Sequence, residues 1–152
     1  MLYTYKLAFY KGRKSNSHSH FMDNLICFAT RSEYSHVELL LNDSGYSVSS
    51  SPRDGGVRFT NIIYDQAQWD FVDIELRLSP EGVRSWFLPN VGMKYDYWGA
   101  IGTVLKFIPE DYDKWFCSEI ISMLIIHYGI LQLPETPKRM SPAKLYKAVT
   151  TS

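Results

Sequence analysis

The sequence predicts an α+β domain in which an antiparallel β-sheet packs against a helix bearing a cysteine, with further helices at its flanks. Three observations predict this class. Runs of alternating apolar and polar residues, bounded by turn residues, recur from Leu2 to Leu78. Helix-opening signals replace them from Ser79 onward, and the clearest helical stripe, ending at Gly129, carries Cys117 in its first turn. At 152 residues the chain is expected to form one domain over positions 1–152, because two would each be too small to bury a stabilising core.

Leu2 to Tyr10 alternates and is rich in Tyr and Phe, as a strand is. Gly12 to His20 is a polar, Ser-rich loop, and Phe21 to Arg31 places Phe21, Leu25, Ile26 and Phe28 at helical spacing. Ser35 to Leu41 and Gly45 to Ser50 form a hairpin through Asn42, Asp43 and Ser44, whose side chains bond their own backbone in turns. If that turn is Asn42 to Gly45, Leu41 pairs with Tyr46, Glu38 faces Ser49 and His36 faces Ser51. Pro52 to Gly56 breaks the pattern, and Val57 to Ile63 and Phe71 to Leu78 complete the mostly antiparallel sheet. Ser79, Pro80 and Glu81 are an N-cap, a first-turn proline and a carboxylate at the positive end of a helix reaching about Leu88. Tyr95 to Phe107 reads as partly helical, Asp113 to Tyr128 as a helix stopped by Gly129, and Ser141, Pro142 opens a last helix through Val149.

Sixteen basic and sixteen acidic residues cancel, so no sequence-wide field draws the chain to nucleic acid or anionic lipid, and nucleic acid is not an expected partner. Met1 to Tyr10 lacks a basic region followed by an apolar run, and no segment reaches the roughly 20 apolar residues of a membrane span. A cytoplasmic protein without a transmembrane segment is therefore expected. Two cysteines, Cys27 and Cys117, are too few for a disulfide scaffold and lack zinc spacing, and His18 with His20 lacks ligand spacing as well. No metal or cofactor is expected. Cys27, beside Phe28 on a helix, reads as core.

A free thiol is mostly protonated at neutral pH, so a nucleophilic cysteine needs an imidazole or a helix N-terminus beside it. Cys117 has the helix position, where unpaired backbone N–H groups favour negative charge and can hold an oxyanion. It also shares a stripe with Ile120, Ile121, Leu124, Ile125 and Tyr128, as a small core residue would. Among the histidines, His18 and His20 lie in a loop, and His127 is about 15 Å along the same helix from Cys117. His36 opens an apolar strand, shares one strand face with Glu38 and Leu40, and is the candidate base. Ser49, Glu38 and Ser47 are the local candidates for the group that orients it.

These residues, Tyr34-Ser35-His36-Val37-Glu38, Gly55-Gly56-Val57, Gly92-Met93-Lys94-Tyr95-Asp96 and Trp115-Phe116-Cys117-Ser118-Glu119, resemble the circularly permuted NlpC/P60 family of papain-like proteins, in which the histidine strand precedes the cysteine helix. The resemblance spans roughly Leu7 to Val149, and the style of the chain is similar to versions encoded by bacteriophages. It implies a cysteine hydrolase, an amidase or peptidase, with Cys117 as nucleophile, His36 as base and Tyr95 helping to form the oxyanion site. It implies a peptide, amide or acyl-ester substrate. The chain departs from the family at the third position, where relatives carry Glu, His, Asn or Gln on the strand after the histidine and this chain has Ser47, Ser49 and Ser51. A water or Glu38 then takes over, or the chain is a catalytically impaired binding module of the same fold. A lipid-directed acyltransferase or thioesterase is the remaining enzymatic expectation.

Overall fold

A computed structural model of the chain describes residues 1–12, 33–51, 53–95 and 114–151. Among these residues seven strands, β1 (Tyr3–Lys11), β2 (Tyr34–Leu40), β3 (Tyr46–Ser51), β4 (Gly56–Asn61), β5 (Trp69–Leu76), β6 (Lys94–Tyr95) and β7 (Lys114–Trp115), form one sheet in the order β5-β1-β2-β3-β4-β6-β7. The first five are antiparallel to their neighbours, β6 joins β4 antiparallel and β7 joins β6 in parallel. Among the described residues three α-helices, α1 (Pro80–Phe87), α2 (Cys117–Tyr128) and α3 (Pro142–Thr150), complete an α+β architecture. None of the described helices is long and apolar enough to cross a membrane.

Local chemistry explains most of these boundaries. Asn42 Oδ1 accepts from the Ser44 and Tyr46 backbone N–H groups at 3.1 and 3.0 Å, and the Leu41 N–H donates to the Tyr46 carbonyl at 2.8 Å, which sets the hairpin register expected from the turn. Ser79 caps α1 by accepting from Gly82 N–H, and Ser141 caps α3 by accepting from Lys144 N–H, each followed by a proline in the first turn.

Leu7 and Phe9 of β1, Val37 and Leu39 of β2, Val48 of β3 and Val57 of β4 alternate onto one face, where Ile120, Ile121, Leu124 and Ile125 of α2, Phe87 of α1 and Leu145 of α3 bury them. The stripe Cys117, Ile120, Ile121, Leu124 and Ile125 is the core face of α2, with Tyr128 packed at its margin. His36 and Glu38 fall on the alternate positions of β2.

Two expectations change. The helix read as Asp113 to Tyr128 begins at Cys117, because Lys114 and Trp115 pair with Lys94 and Tyr95 as strand β7 instead of continuing the helix. Tyr95, read as the start of a partly helical stretch, is strand for the same reason. A two-residue strand has no periodicity to read, so only its partner reveals it. The expected helix at Phe21 to Arg31, with Cys27, the stretch after Tyr95, and Asp113 lie outside the described residues.

Gly56 makes the β4–β6 junction possible. Its φ of 149° lies in the region that favours glycine, and a Cβ there would stand 1.8 Å from the Met93 carbonyl oxygen. The neighbouring Val57 N–H donates to that same carbonyl at 2.9 Å. Gly56→Ala is therefore expected to cost at least about 1–3 kcal/mol, read as a lower midpoint in denaturant unfolding, and an unchanged midpoint would refute the close approach.

Candidate active site

Cys117 is the first residue of α2, and Phe116 at the N-cap is extended and supplies no side-chain acceptor. The backbone N–H groups of the first turn therefore meet no capping side chain from Phe116, and the positive end of the helix lies at the cysteine. Cys117 is a free thiol, 1% exposed, within the core cluster.

His36 reaches it from β2. The β1–β2 register shifts between Tyr10↔His36 and Lys11↔Tyr34, so Ser35 is an extra, bulged residue immediately before the histidine. Such a bulge bends a strand and re-aims the side chains beside it. On the other side, β2 and β3 pair only near their turn, at Leu39↔Val48 and Leu40↔Ser47. Toward His36 the ladder gives way, and the Val37 carbonyl accepts from Ser49 Oγ at 2.7 Å.

The imidazole has a partner on each side. His36 Nε2 donates to Glu38 Oε1 at 2.6 Å, which leaves Nδ1 as the ring nitrogen for the side-chain hydrogen bond with Cys117. Burial by itself would lower the His36 pKa, but the charges of Cys117 and Glu38 and the hydrogen bonds to both outweigh it and push it up to about 10. His36 is thus set between the Cys117 thiol group and the buried Glu38 carboxylate.

Glu38 is fully buried and is held from the far side by Arg58, whose Nη2 donates to Oε1 at 2.6 Å and Nη1 to Oε2 at 2.9 Å. Burial by itself would raise the Glu38 carboxyl, yet the charge and hydrogen bond of His36, and then those of Arg58, hold it below the usual glutamate range. Arg58 Nε in turn donates to Asp54 Oδ2 at 2.7 Å. From Cys117 outward, His36, Glu38, Arg58 and Asp54 thus form a row of alternating charge that runs to the surface.

Aromatic rings wall the imidazole. Trp69 of β5 meets His36 edge-on at 6.4 Å, and Tyr10 and Tyr64 pack on Trp69 at 5.0 and 4.9 Å. Such a wall keeps water from the His36–Glu38 bond and strengthens it.

Of the residues expected at the site, the structure brings Cys117, His36 and Glu38 together. Ser49, expected as an orienting group, is committed to the Val37 carbonyl, and Ser47 Oγ points to the Thr60 carbonyl at 3.5 Å. Glu38 orients the ring in their place because a carboxylate two residues along the same strand lies on the same face at one strand repeat. Tyr95 pairs through its backbone with Trp115, two residues before Cys117, and its side chain lies outside what is described. His127 is exposed, with Nδ1 donating to the Met123 carbonyl, and His18 and His20 lie outside the described residues. Arg58 is the member that sequence reasoning missed. Its signal was the second hairpin: Ser49 pairs with Arg58, so Glu38, Ser49 and Arg58 lie in a row across three strands.

No family model matches the chain, and no curated protein matches it. The site's chemistry therefore rests on the geometry above.

Proposed function

We propose that the chain is a cysteine hydrolase of the amidase or peptidase class, with the permuted NlpC/P60 papain-like fold and a Cys117–His36 catalytic pair. The observation that carries this reading is the imidazole of His36 hydrogen-bonded to Cys117 on one side and to buried Glu38 on the other. A solitary core cysteine has no need of a charged imidazole. The strand-then-helix order of His36 and Cys117, and the helix N-terminus at the thiol, also support it.

In the proposed reaction the Cys117 thiolate attacks the carbonyl carbon of an amide or ester, forming the C–S bond while the carbonyl π electrons move to oxygen. The oxyanion is held by the Cys117 backbone N–H, and the family resemblance gives Tyr95 as a second contributor. The tetrahedral intermediate collapses, the C–N or C–O bond breaks, and the His36 imidazolium gives its proton to the leaving amine or alcohol. Neutral His36 then takes a proton from water as the hydroxyl adds to the thioester. The second collapse releases the carboxylic acid and returns the thiolate–imidazolium pair. Glu38 keeps the ring oriented and its positive charge compensated throughout. The free thiol fits a reducing compartment such as a cytoplasm.

One observation favours a second reading: Cys117 is only 1% exposed, as expected of a binding module that has kept the fold. Activated ester and amide probes, followed by intact-mass spectrometry, separate the two. The hydrolase reading expects one acyl adduct, mapped to Cys117 and absent from Cys117→Ala. A folded protein that never acquires an adduct would leave the binding module.

A further inference from the structure

We propose that Arg58 is a positioning residue for the active-site imidazole, acting through Glu38: by holding both carboxylate oxygens it fixes the anion that aligns His36 against Cys117. This rests on the hydrolase reading for its consequence in catalysis, but the alignment itself is a property of the buried network.

The geometry carries the inference. Glu38 Oε1 receives both His36 Nε2 and Arg58 Nη2 at 2.6 Å, and Oε2 receives Arg58 Nη1 at 2.9 Å. Arg58 therefore grips the carboxylate end-on, with two parallel bonds, a geometry that a guanidinium provides and an ammonium does not. A lone glutamate beside a histidine can rotate about its terminal torsion, which is broad and roughly two-fold. With both oxygens tied, Oε1 has one place to be, and the ring that donates to it has one orientation.

Ser49 explains how an arginine on β4 reaches a glutamate on β2. Glu38, Ser49 and Arg58 occupy one face of three successive strands, and strands lie about 4.8 Å apart, so the guanidinium must cross over the middle strand. Ser49 is fully buried and small, its hydroxyl is turned to the Val37 carbonyl, and its own carbonyl accepts from Arg58 Nη1 at 3.4 Å. A small residue at this position leaves room for the arginine. Asp54 fixes the other edge of the guanidinium through Nε at 2.7 Å.

The titratable groups facing Glu38 are His36 on its own strand, Arg58 from β4 with Asp54 behind it, and Cys117 from α2 through His36. Tyr64 is raised above the usual tyrosine range, by burial first and then by the Glu38 charge, and is neutral in the working range. From β1, Ala8 faces Glu38 and contributes no charge. Arg58 is thus the cation that keeps Glu38 ionised when His36 gives up its proton during turnover.

The test compares wild type with Arg58→Lys and Arg58→Met by two readouts: the pH profile of Cys117 alkylation by iodoacetamide, and the ring nitrogen signals of His36 in an NMR pH titration. The acid limb of the alkylation profile is expected to move to higher pH in both variants, with the rate at pH 5 falling about tenfold in Arg58→Met and less in Arg58→Lys. The His36 ring signals are expected to move with it. Arg58→Lys keeps a positive charge and guards against loss of the fold. A folded Arg58→Lys with wild-type profile and wild-type ring signals would overturn the proposal, because a point charge would then suffice. Should wild-type Cys117 itself prove unreactive at every pH, the hydrolase reading fails, while the His36 signals still decide the role of Arg58.

Discussion

Replacing Glu38 by Ala is expected to destabilise the folded chain by about 3–5 kcal/mol, a fall in Tm of roughly 6–20 °C for a domain of this size. The carboxylate is fully buried and is the shared partner of His36 and Arg58, whose side chains are only 13% and 16% exposed. Removing it leaves two largely buried cations facing each other across the vacated space, and that uncompensated charge accounts for most of the effect. The double variant Glu38→Leu, Arg58→Met removes both charges and is expected to recover much of the lost stability, since apolar side chains of similar volume often replace a buried ion pair without loss. It is not expected to recover reactivity at Cys117. Thermal unfolding of the two variants beside the wild type decides the matter, and a single variant as stable as the wild type would refute the network.

The pH dependence follows from the same network. Glu38 is held below its usual range, so its contribution to stability is present above the unfolded glutamate value and is lost as pH falls through the depressed folded value. His36 is raised to about 10, so its contribution is complete below the ordinary histidine value of 6.5 and is lost as pH rises through about 10. The stability gap between wild type and Glu38→Ala is therefore expected to be widest between the ordinary glutamate value of 4.5 and the ordinary histidine value of 6.5, and to narrow at both ends.

Alkylation of Cys117 at pH 6 is expected to slow by about 100-fold in His36→Ala, because an ordinary thiol is less than about 1% ionised there and the thiolate is the nucleophile. With His36 in place, labelling by a small reagent is expected to outpace that of Cys27, the other thiol of the chain. On the hydrolase reading, turnover of an acyl substrate is expected to fall further, by about 10²–10⁴-fold, since there His36 would also carry the proton to the leaving group. Equal, slow labelling of both cysteines in wild type and variant would count against the nucleophile.

Local chemistry wrote much of the fold into the chain. Asn42 to Gly45 set the first hairpin and its register, and the Ser79 and Ser141 caps with their prolines opened α1 and α3, because each signal acts within a few residues of itself. His36 stood out as an imidazole at the head of an apolar strand, and Cys117 as a thiol at a helix start. Glu38 was legible as a same-face neighbour of His36, though Ser47 and Ser49 were equally close in register. A free serine hydroxyl and a buried carboxylate look alike in a strand pattern, and only the coordinates show the hydroxyl spent on the Val37 carbonyl.

What tertiary structure alone decided lies between elements. The Ser35 bulge turns on how β1 and β2 register, and the two-residue strands β6 and β7, which deliver Cys117 to the sheet, have no pattern of their own. Arg58 became part of the site only through two successive hairpins that set it in line with Ser49 and Glu38. Sequence determines which residues can carry charge and where the chain turns, because those are properties of a residue and its near neighbours. Which charges then meet is decided by pairing between distant strands, where burial makes a partner obligatory and leaves Arg58 as the cation that completes the row.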